Sequence, residues 1–263
     1  MGENIILTGI VLAAIPIGEY DKRVTILTKE RGKISAFVKG ARRPNSSLMA
    51  ASNPFVFGEF EAYQGRSSYN IYKALVSDYF NEITTDLNKV YFGCYFLEMA
   101  DYFTRENNDE KEMLKLLYVT LKALSKGIIN LKLIRYIYEL KTLTINGEYP
   151  QCFCCSKCGN TDNLTGFGIK ENGCICNECK CDTKDYIELD NSTIYALQYV
   201  ISSDVSKLYT FKLSDKVFNE FMFIISNFSK KCIDKKFNTL DILDGIVNLW
   251  VEKICYKEYN VKD

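Results

Sequence analysis

There is no histidine anywhere in these 263 residues. That absence removes the Ser-His-Asp and Cys-His nucleophile systems, which need an imidazole as base. It also removes imidazole as a metal ligand, and with it the usual catalytic zinc sites built on histidine. A catalyst here would have only carboxylates, lysine, tyrosine and thiolates to use. Net charge is missing too: 33 basic residues stand against 33 acidic ones, so only the distribution of charge can point to partners. No Gly-x-x-x-x-Gly-Lys-Ser/Thr stretch is present, hence no phosphate-cradling loop for ATP. No internal repeat and no low-complexity linker divides the chain. The apolar run from Ile5 to Ile17 lacks a preceding basic region, since Glu3 stands there, and Thr8 and Gly9 interrupt it. It is too short to span a bilayer and reads as a first strand rather than a signal peptide, which implies a cytoplasmic protein with no membrane partner.

What is present is enough apolar residue, 47%, to bury a real core in more than one domain. Residues 1–80 read as β-structure, with Val-, Ile-, Phe- and Tyr-rich stretches separated by Gly, Asp, Pro and Asn. Five strands fit, roughly Asn4–Ala14, Arg23–Thr28, Lys33–Lys39, Pro54–Tyr63 and Ser68–Ser77. Five short strands suit a small closed barrel, either oligonucleotide-binding or SH3-like. From Ile83 the period becomes helical. Stripes run through Leu87, Val90, Cys94 and Leu97, through Met113, Leu117, Leu121 and Leu124, and through Leu133, Ile137 and Leu140. Gly127 and Gly147 are expected stops. Three more stripes follow the cysteines: Ile194, Leu197 and Ile201; Phe218, Phe221, Ile225 and Phe228; Leu240, Leu243, Val247 and Trp250. Ser214 is placed to cap the second of these. The expected domains are a barrel over 1–80, a helical domain over 81–150 and 183–263, and a cysteine-rich insert over 151–182.

Eight of the eleven cysteines lie between Cys152 and Cys181. An odd count and tight clustering argue against a disulfide framework and for a metal site in a reducing compartment. Two Cys-x-x-Cys pairs stand out, Cys155 with Cys158 and Cys176 with Cys179. Two intervening residues let both thiolates of a turn face one tetrahedral ion, and four thiolates close the site to water, which makes it structural. Gly159 allows the tight turn of the first knuckle. Cys152, Cys154, Cys174 and Cys181 are surplus, and Cys152 with Cys155 makes a competing pair. An iron–sulfur cluster or a redox thiol cluster are the other readings, although Glu171, Glu178 and Asp182 disfavour reactive thiolates.

Between Lys22 and Arg43 eight basic residues face one acid, Glu30. They are Lys22, Arg23, Lys29, Arg31, Lys33, Lys39, Arg42 and Arg43. A basic stripe on a barrel is the footprint expected of nucleic-acid binding, although charge runs are often only a solvated face. Phe37, Phe55, Phe57, Phe60 and Tyr63 lie nearby and could stack bases, but alternation in a small barrel assigns most of them to the core.

The string from Gly9-Ile-Val-Leu through Gly18-Glu19, Asp21-Lys-Arg-Val-Thr-Ile-Leu27-Thr28 and Gly32-Lys33 to Lys39-Gly40-Ala41-Arg42-Arg43-Pro-Asn-Ser46 resembles the N-terminal barrel of the bacterial recombination-mediator family RecO. So do Pro54-Phe55, Asp86-Leu87, Tyr95-Phe-Leu-Glu98, Tyr138-Glu139-Leu140, Gly147-Glu-Tyr-Pro150 and the two knuckles. The resemblance covers residues 5–180. It implies an α+β fold: a five-stranded OB-fold barrel, then an all-helical domain with an inserted four-cysteine zinc ribbon. It selects Cys155, Cys158, Cys176 and Cys179 as ligands of one structural zinc ion; the crowd of extra cysteines is the departure. It implies a DNA repair and recombination protein, nucleoid-associated and not an enzyme, that binds single- and double-stranded DNA and anneals complementary strands. With RecR, such a protein helps RecA load onto DNA coated by single-stranded-DNA-binding protein (SSB), whose acidic, Phe-ended tail the helical domain recognises. On this reading Arg31, Lys33, Lys39, Arg42 and Arg43 contact phosphate, and Lys132 and Arg135 are the candidates for the tail. Two other readings compete. A zinc-ribbon transcription regulator would need base-specific readout. A metal-dependent nuclease would need paired carboxylates, for which Asp241 and Asp244 are the nearest candidates.

Overall fold

The computed structural model describes residues 3–65 and 68–240. Among these, the chain divides into two compact units, one reaching to Leu114 and resuming at Lys235, the other Lys115–Asp234.

The first unit begins with five strands: β1 (Glu3–Ile17), β2 (Asp21–Thr28), β3 (Gly32–Val38), β4 (Phe57–Gln64) and β5 (Tyr69–Asp78). They close into a barrel in the order β1-β2-β3-β5-β4, antiparallel except for β3 against β5. A short helix α1 (Leu48–Ala51) lies between β3 and β4. This is the oligonucleotide-binding barrel rather than the SH3-like one. The closing device is β1. Its first half pairs with β4, Glu3 to Ile10, and its second half with β2, Gly9 to Ile17. The register shifts between Val11 and Ala13, as expected where one strand bends from one neighbour to the next. At this crossing a side chain on Gly9 would sit 2.3 Å from the carbonyl oxygen of Leu27, so only glycine fits. Alternation then fills the interior with Leu7, Val11, Val24, Ile26, Ile34, Ala36, Val38, Phe60, Ala62 and Ile71, and Leu48 of α1 packs into the same cluster.

Two helices complete this part, α2 (Asn81–Thr84) and α3 (Leu87–Phe103). The Asp86 carboxylate caps α3, accepting from the amides of Asn88 at 2.9 Å and Lys89 at 3.3 Å. The stripe expected on α3 is not the buried face. Leu87 is 67% exposed, and Val90 and Cys94 are half-buried. Leu97 of that stripe is buried, but the rest of the buried face is Phe92, Tyr95, Phe96, Met99 and Ala100. The helix carries apolar residues nearly all round, so periodicity could not choose a face. Gly93 helps to choose it: a side chain there would come within 2.7 Å of the Phe55 ring.

In the next helix, α4 (Lys111–Lys126), Met113, Leu117, Leu121 and Leu124 are all buried, as their spacing requires. The second unit holds α5 (Leu131–Ile145), α6 (Asn191–Ser202) and α7 (Asp215–Cys232). The Asn130 and Asp190 side chains cap α5 and α6, each accepting an amide hydrogen at 2.9 Å. Ser214 occupies the cap position of α7, but its side chain makes no cap hydrogen bond. Gly127 and Gly147 follow α4 and α5 with φ of 64° and 85°, conformations that stop a helix at little steric cost to glycine. The α5 stripe is buried, as are Ile194, Leu197 and Ile201 of α6 and Phe221, Ile225 and Phe228 of α7; Phe218 is half-buried. Lys141 of α5 is a buried lysine whose ammonium donates to the carbonyls of Ile201 at 2.9 Å and Ser203 at 2.7 Å. It thereby satisfies the end of α6 and complements its dipole. Leu243, Val247 and Trp250, like the acidic pair Asp241 and Asp244, lie outside the described residues.

Between α5 and α6 stands a small three-stranded sheet of β6 (Leu164–Gly168), β7 (Gly173–Cys176) and β8 (Tyr186–Glu188), in the order β7-β6-β8. This sheet carries the cysteine knuckles.

Candidate metal centre and basic surface

The first knuckle lies before β6. The Gly159 amide donates to the Cys155 carbonyl at 2.8 Å, and the Cys155 amide donates to the Asn160 carbonyl at 2.7 Å. Gly159 takes a φ of 75°, as the tight turn demands. The second knuckle leaves the end of β7: the Cys179 amide donates to the Cys176 carbonyl at 3.2 Å, and Asn177 is tied to the Asn163 carbonyl at 3.0 Å. These turns bring the sulfurs of Cys155, Cys158, Cys176 and Cys179 within 4.8 Å of one another. The sulfurs of Cys158 and Cys176 are 3.6 Å apart. Tetrahedral coordination with metal–sulfur bonds of about 2.3 Å separates sulfurs by about 3.8 Å, so the four are positioned to hold one metal ion.

Electrostatics give the same answer. Burial raises the Cys155 thiol, but the amides of Cys176, Cys158 and Lys157 outweigh it and bring it down to about 6. Hydrogen bonding from Cys158, followed by burial, holds Cys179 up, at about 12. Without a cation, one thiolate forms readily and its neighbours resist joining it. A bound cation removes that conflict. The competing choice, Cys152, does not belong to the group of four. It is fully buried, and its hydrogen bond with Cys174, then burial, keep it a thiol well above the usual range. Of the other surplus cysteines, Cys154 is half-buried and Cys181 exposed, and neither belongs to the group of four.

The basic residues of the barrel have different employments. Lys22 donates to the Met49 carbonyl at 3.1 Å, the Ser52 hydroxyl at 3.1 Å and the Asn53 side chain at 2.7 Å, tying β2 to α1. Burial, then the nearby Arg42, lower its pKa. Lys33 pairs with the Asp101 carboxylate at 3.1 Å and also donates to the Asp101 carbonyl. Arg31 is half-buried at the β2–β3 turn, where it and Glu106 both act on the Tyr69 hydroxyl. Lys39, Arg42 and Arg43 are exposed on the loop after β3. That loop is docked on the β1–β2 turn: the Arg42 amide donates to the Tyr20 carbonyl at 2.8 Å, and the Gly40 amide to the Asp21 carboxylate at 2.7 Å. The Arg43 guanidinium sits 5.4 Å from the centre of the Tyr20 ring, and the Arg42 guanidinium reaches the Gly18 carbonyl at 3.3 Å.

One outward row was not singled out from the sequence. Ile15 is opposite Arg23, Arg23 opposite Phe37, Phe37 beside Asn70, and Asn70 opposite Tyr63. None of the five is buried, and Ile15 and Tyr63 are 61% and 47% exposed. The Tyr63 ring lies 4.5 Å from that of Tyr72. Of the aromatics considered for stacking, Phe55 and Phe60 are buried. Strand alternation could have revealed the row once the register was known.

In the second unit, Arg135 is bonded to Glu139 at 2.7 Å, with side chains 12% and 3% exposed, and lies over Tyr136; Lys132 is half-buried in the first turn of α5. A separate groove of about 270 Å³ is lined by Val119, Ala123, Ile128, Ile129, Tyr209 and two lysines, Lys122 and Lys126. Among the described residues, no helix is long and apolar enough to cross a membrane.

Comparison with known proteins fits this arrangement. The family described as "Recombination protein O N terminal" matches residues 1–80, and "Recombination protein O C terminal" matches residues 84–241. The DNA repair protein RecO of Alkaliphilus metalliredigens is 30% identical over 90% of this chain and 98% of its own length. Its counterpart in Acetivibrio thermocellus is 29% identical over 90% and 94%. That of Bacillus subtilis is 30% identical over 79% and 81%. With both family halves matched in order and relatives aligned over most of their length, the chain belongs to the RecO family of DNA repair proteins.

Proposed function

We propose that the protein is a non-enzymatic recombination mediator: it binds single- and double-stranded DNA, anneals complementary strands, and with RecR helps RecA load onto DNA coated by SSB. The observation that carries this reading is the exposed cluster of Lys39, Arg42 and Arg43 on the loop beside the β1–β2 turn, at the edge of an oligonucleotide-binding barrel. Loops at that end and the face of β2 and β3 are where such barrels take oligonucleotides. The cations release counterions from phosphate, and the row Ile15, Arg23, Phe37 and Tyr63 offers a sequence-tolerant path for bases. Arg31 contributes beside Glu106, and Lys33 has the smallest share because Asp101 holds it. Annealing needs no fuel, since a basic surface lowers the repulsion between two phosphate backbones.

The resident metal is zinc in this reading, held by Cys155, Cys158, Cys176 and Cys179. Four thiolates suit it and leave no open position, so it staples the ribbon and supplies no reaction chemistry. The SSB tail, acidic and ended by Phe, fits the groove of Lys122 and Lys126 better than Lys132 and Arg135, because Arg135 already carries Glu139. The deciding experiment measures DNA binding against salt, annealing without ATP, and metal content on one sample. Salt-sensitive, sequence-indifferent binding with annealing and one zinc per chain is the expected result. Absence of DNA binding at low salt refutes the proposal.

A further inference from the structure

We propose that the outer face of α6 is a second site for single-stranded nucleic acid, holding one strand while the barrel holds another; this rests on the DNA-binding reading above. The face opens into a cavity of about 350 Å³ lined by Tyr195, Tyr199, Phe211, Lys212 and Leu213, with Ala196 at its base. Pockets of that size take small flat ligands. Tyr195 is 66% exposed, and its ring centre lies 6.3 Å from that of Tyr199. Tyr199 meets Phe211 edge-on at 5.4 Å. The Tyr199 hydroxyl donates to the Lys207 carbonyl at 3.1 Å, so this ring is held in place before any ligand arrives. Three aromatic rings around an open cavity form a stacking platform.

Charge at the rim favours an anionic backbone. Lys212 lines the cavity; it and Lys207, whose carbonyl takes the Tyr199 hydroxyl, are exposed and form no ion pair among the described residues. Three acids of this unit are already engaged, while Asp215, at the start of α7, is exposed. Asp190 caps α6 and holds Lys216 at 3.2 Å. Asp204 holds Lys115 at 3.0 Å and accepts the Ser206 amide. Glu220 accepts the Asp190 amide at 2.9 Å and the Thr193 hydroxyl. Aromatic faces with free ammonium groups beside them match bases and phosphates together. The neighbouring groove of Lys122 and Lys126 is mainly aliphatic and suits a peptide side chain; the α6 cavity is not built that way. Two sites on one chain also meet a physical need of annealing, because the protein's cations then offset the charge of both strands.

The test uses the full chain, two non-complementary oligothymidylate and oligocytidylate strands, native mass spectrometry for stoichiometry, and annealing rate. The wild type is expected to carry two strands. The double variant Phe211→Ala with Lys212→Glu keeps the barrel strand with unchanged affinity. It binds the second about tenfold more weakly and anneals more slowly, since one lost stacking partner alone has an effect of that size. Phe211→Tyr with Lys212→Arg restores both properties, which a merely folding-related defect would not predict. One strand per chain in the wild type, lost when Lys39 and Arg42 are changed, leaves the barrel reading intact and overturns this site. One strand lost only in the Phe211 and Lys212 variant supports this site and removes the barrel reading. A variant that keeps both strands but no longer binds an acidic, Phe-ended peptide overturns the proposal in favour of a peptide site.

Discussion

Replacing Lys39 and Arg42 together with Ala should change the salt dependence of DNA binding by a calculable amount. Both side chains are exposed on the loop after β3, and neither is paired with a carboxylate among the described residues. Each phosphate contact contributes about 0.7 to the slope of log K against log salt on single strands and about 0.9 on duplex. Removing two contacts should therefore flatten the slope by about 1.4 on single strands and about 1.8 on duplex. Between about 50 and 200 mM salt, a flattening of about 1.4 amounts to a sevenfold smaller loss of affinity. Fluorescence anisotropy over that range, on two unrelated sequences, measures it. Lys33→Ala is the internal control. Its ammonium is held by Asp101 at 3.1 Å, so the slope should scarcely move. A double variant with the wild-type slope, or a Lys33 variant that flattens as much, would refute the assignment of phosphate contacts.

Four further outcomes follow from other parts of the molecule. Cys176→Ser should remove the metal from purified protein and open residues 151–189 to proteolysis while the barrel stays resistant, as read by elemental analysis and limited digestion. In metal-free protein, the Cys155 pKa of about 6 lies below its ordinary value, so the stability it lends is complete above about 9 and lost as pH falls through about 6. Cys179, raised to about 12, acts in the opposite sense: its contribution is present below about 9 and lost as pH rises toward 12. A metal-free melting temperature that climbs on acidification from pH 9 to 6 would contradict the dominant role given to Cys155 in that window. Gly32→Ala should destabilise by about 2–3 kcal/mol in urea unfolding, because φ is 64° and the added carbon would sit 2.3 Å from the Arg105 carbonyl. Gly18→Ala, with φ of 56° but open space around it, should cost only about 1 kcal/mol. Arg135→Ala should destabilise by about 3 kcal/mol by breaking the largely buried ion pair with Glu139, whereas Lys122→Glu should weaken binding of the SSB tail peptide without that loss. Equal effects of the two on peptide affinity would argue against the lysine-lined groove.

The barrel was legible because its signal is local. Its strands are short apolar stretches bounded by turn residues, with a clean period of two in β3, and the observed strands lie within a few residues of those expected. Among the helices of the second unit, α7 was legible for a similar reason: it has one apolar stripe and one polar face, which leaves a single way to bury it, whereas α5 is buried nearly all round, Glu139, Lys141 and Thr142 included. Where that contrast fails, so does the reading. On α3 the sequence from Val90 to Phe103 offers apolar residues in every direction, and the choice of face came from Gly93 against Phe55, a contact 38 positions apart along the chain. The four clustered cysteines were legible as two knuckles. The separation of Cys152 from them was not, because its burial beside Cys174 arises only when residue 151 pairs with residue 173.

The basic run shows most clearly why a sequence window overstates a binding surface. Eight cations between Lys22 and Arg43 look alike as a run, but Lys22 and Lys33 are taken up by partners within the fold. Lys22 is consumed by residues 27, 30 and 31 positions later, and Lys33 by one 68 positions later. No local pattern announces such partners, since each depends on where α1 and α3 pack against the barrel. Arg23, which a charge count ranks equally with its neighbours, gains its distinction from register: it stands between Ile15 and Phe37 on the outer face, with Ser35 accepting from its guanidinium at 2.8 Å. The number of cations free to meet phosphate is therefore smaller than the net charge of the run. A salt slope on single strands near that expected for Lys39, Arg42, Arg43, Arg23 and Arg31, about 3.5 for five contacts, would agree with this division of labour. A slope approaching that for all eight, about 5.6, would mean that Lys22 and Lys33 leave their protein partners when DNA binds.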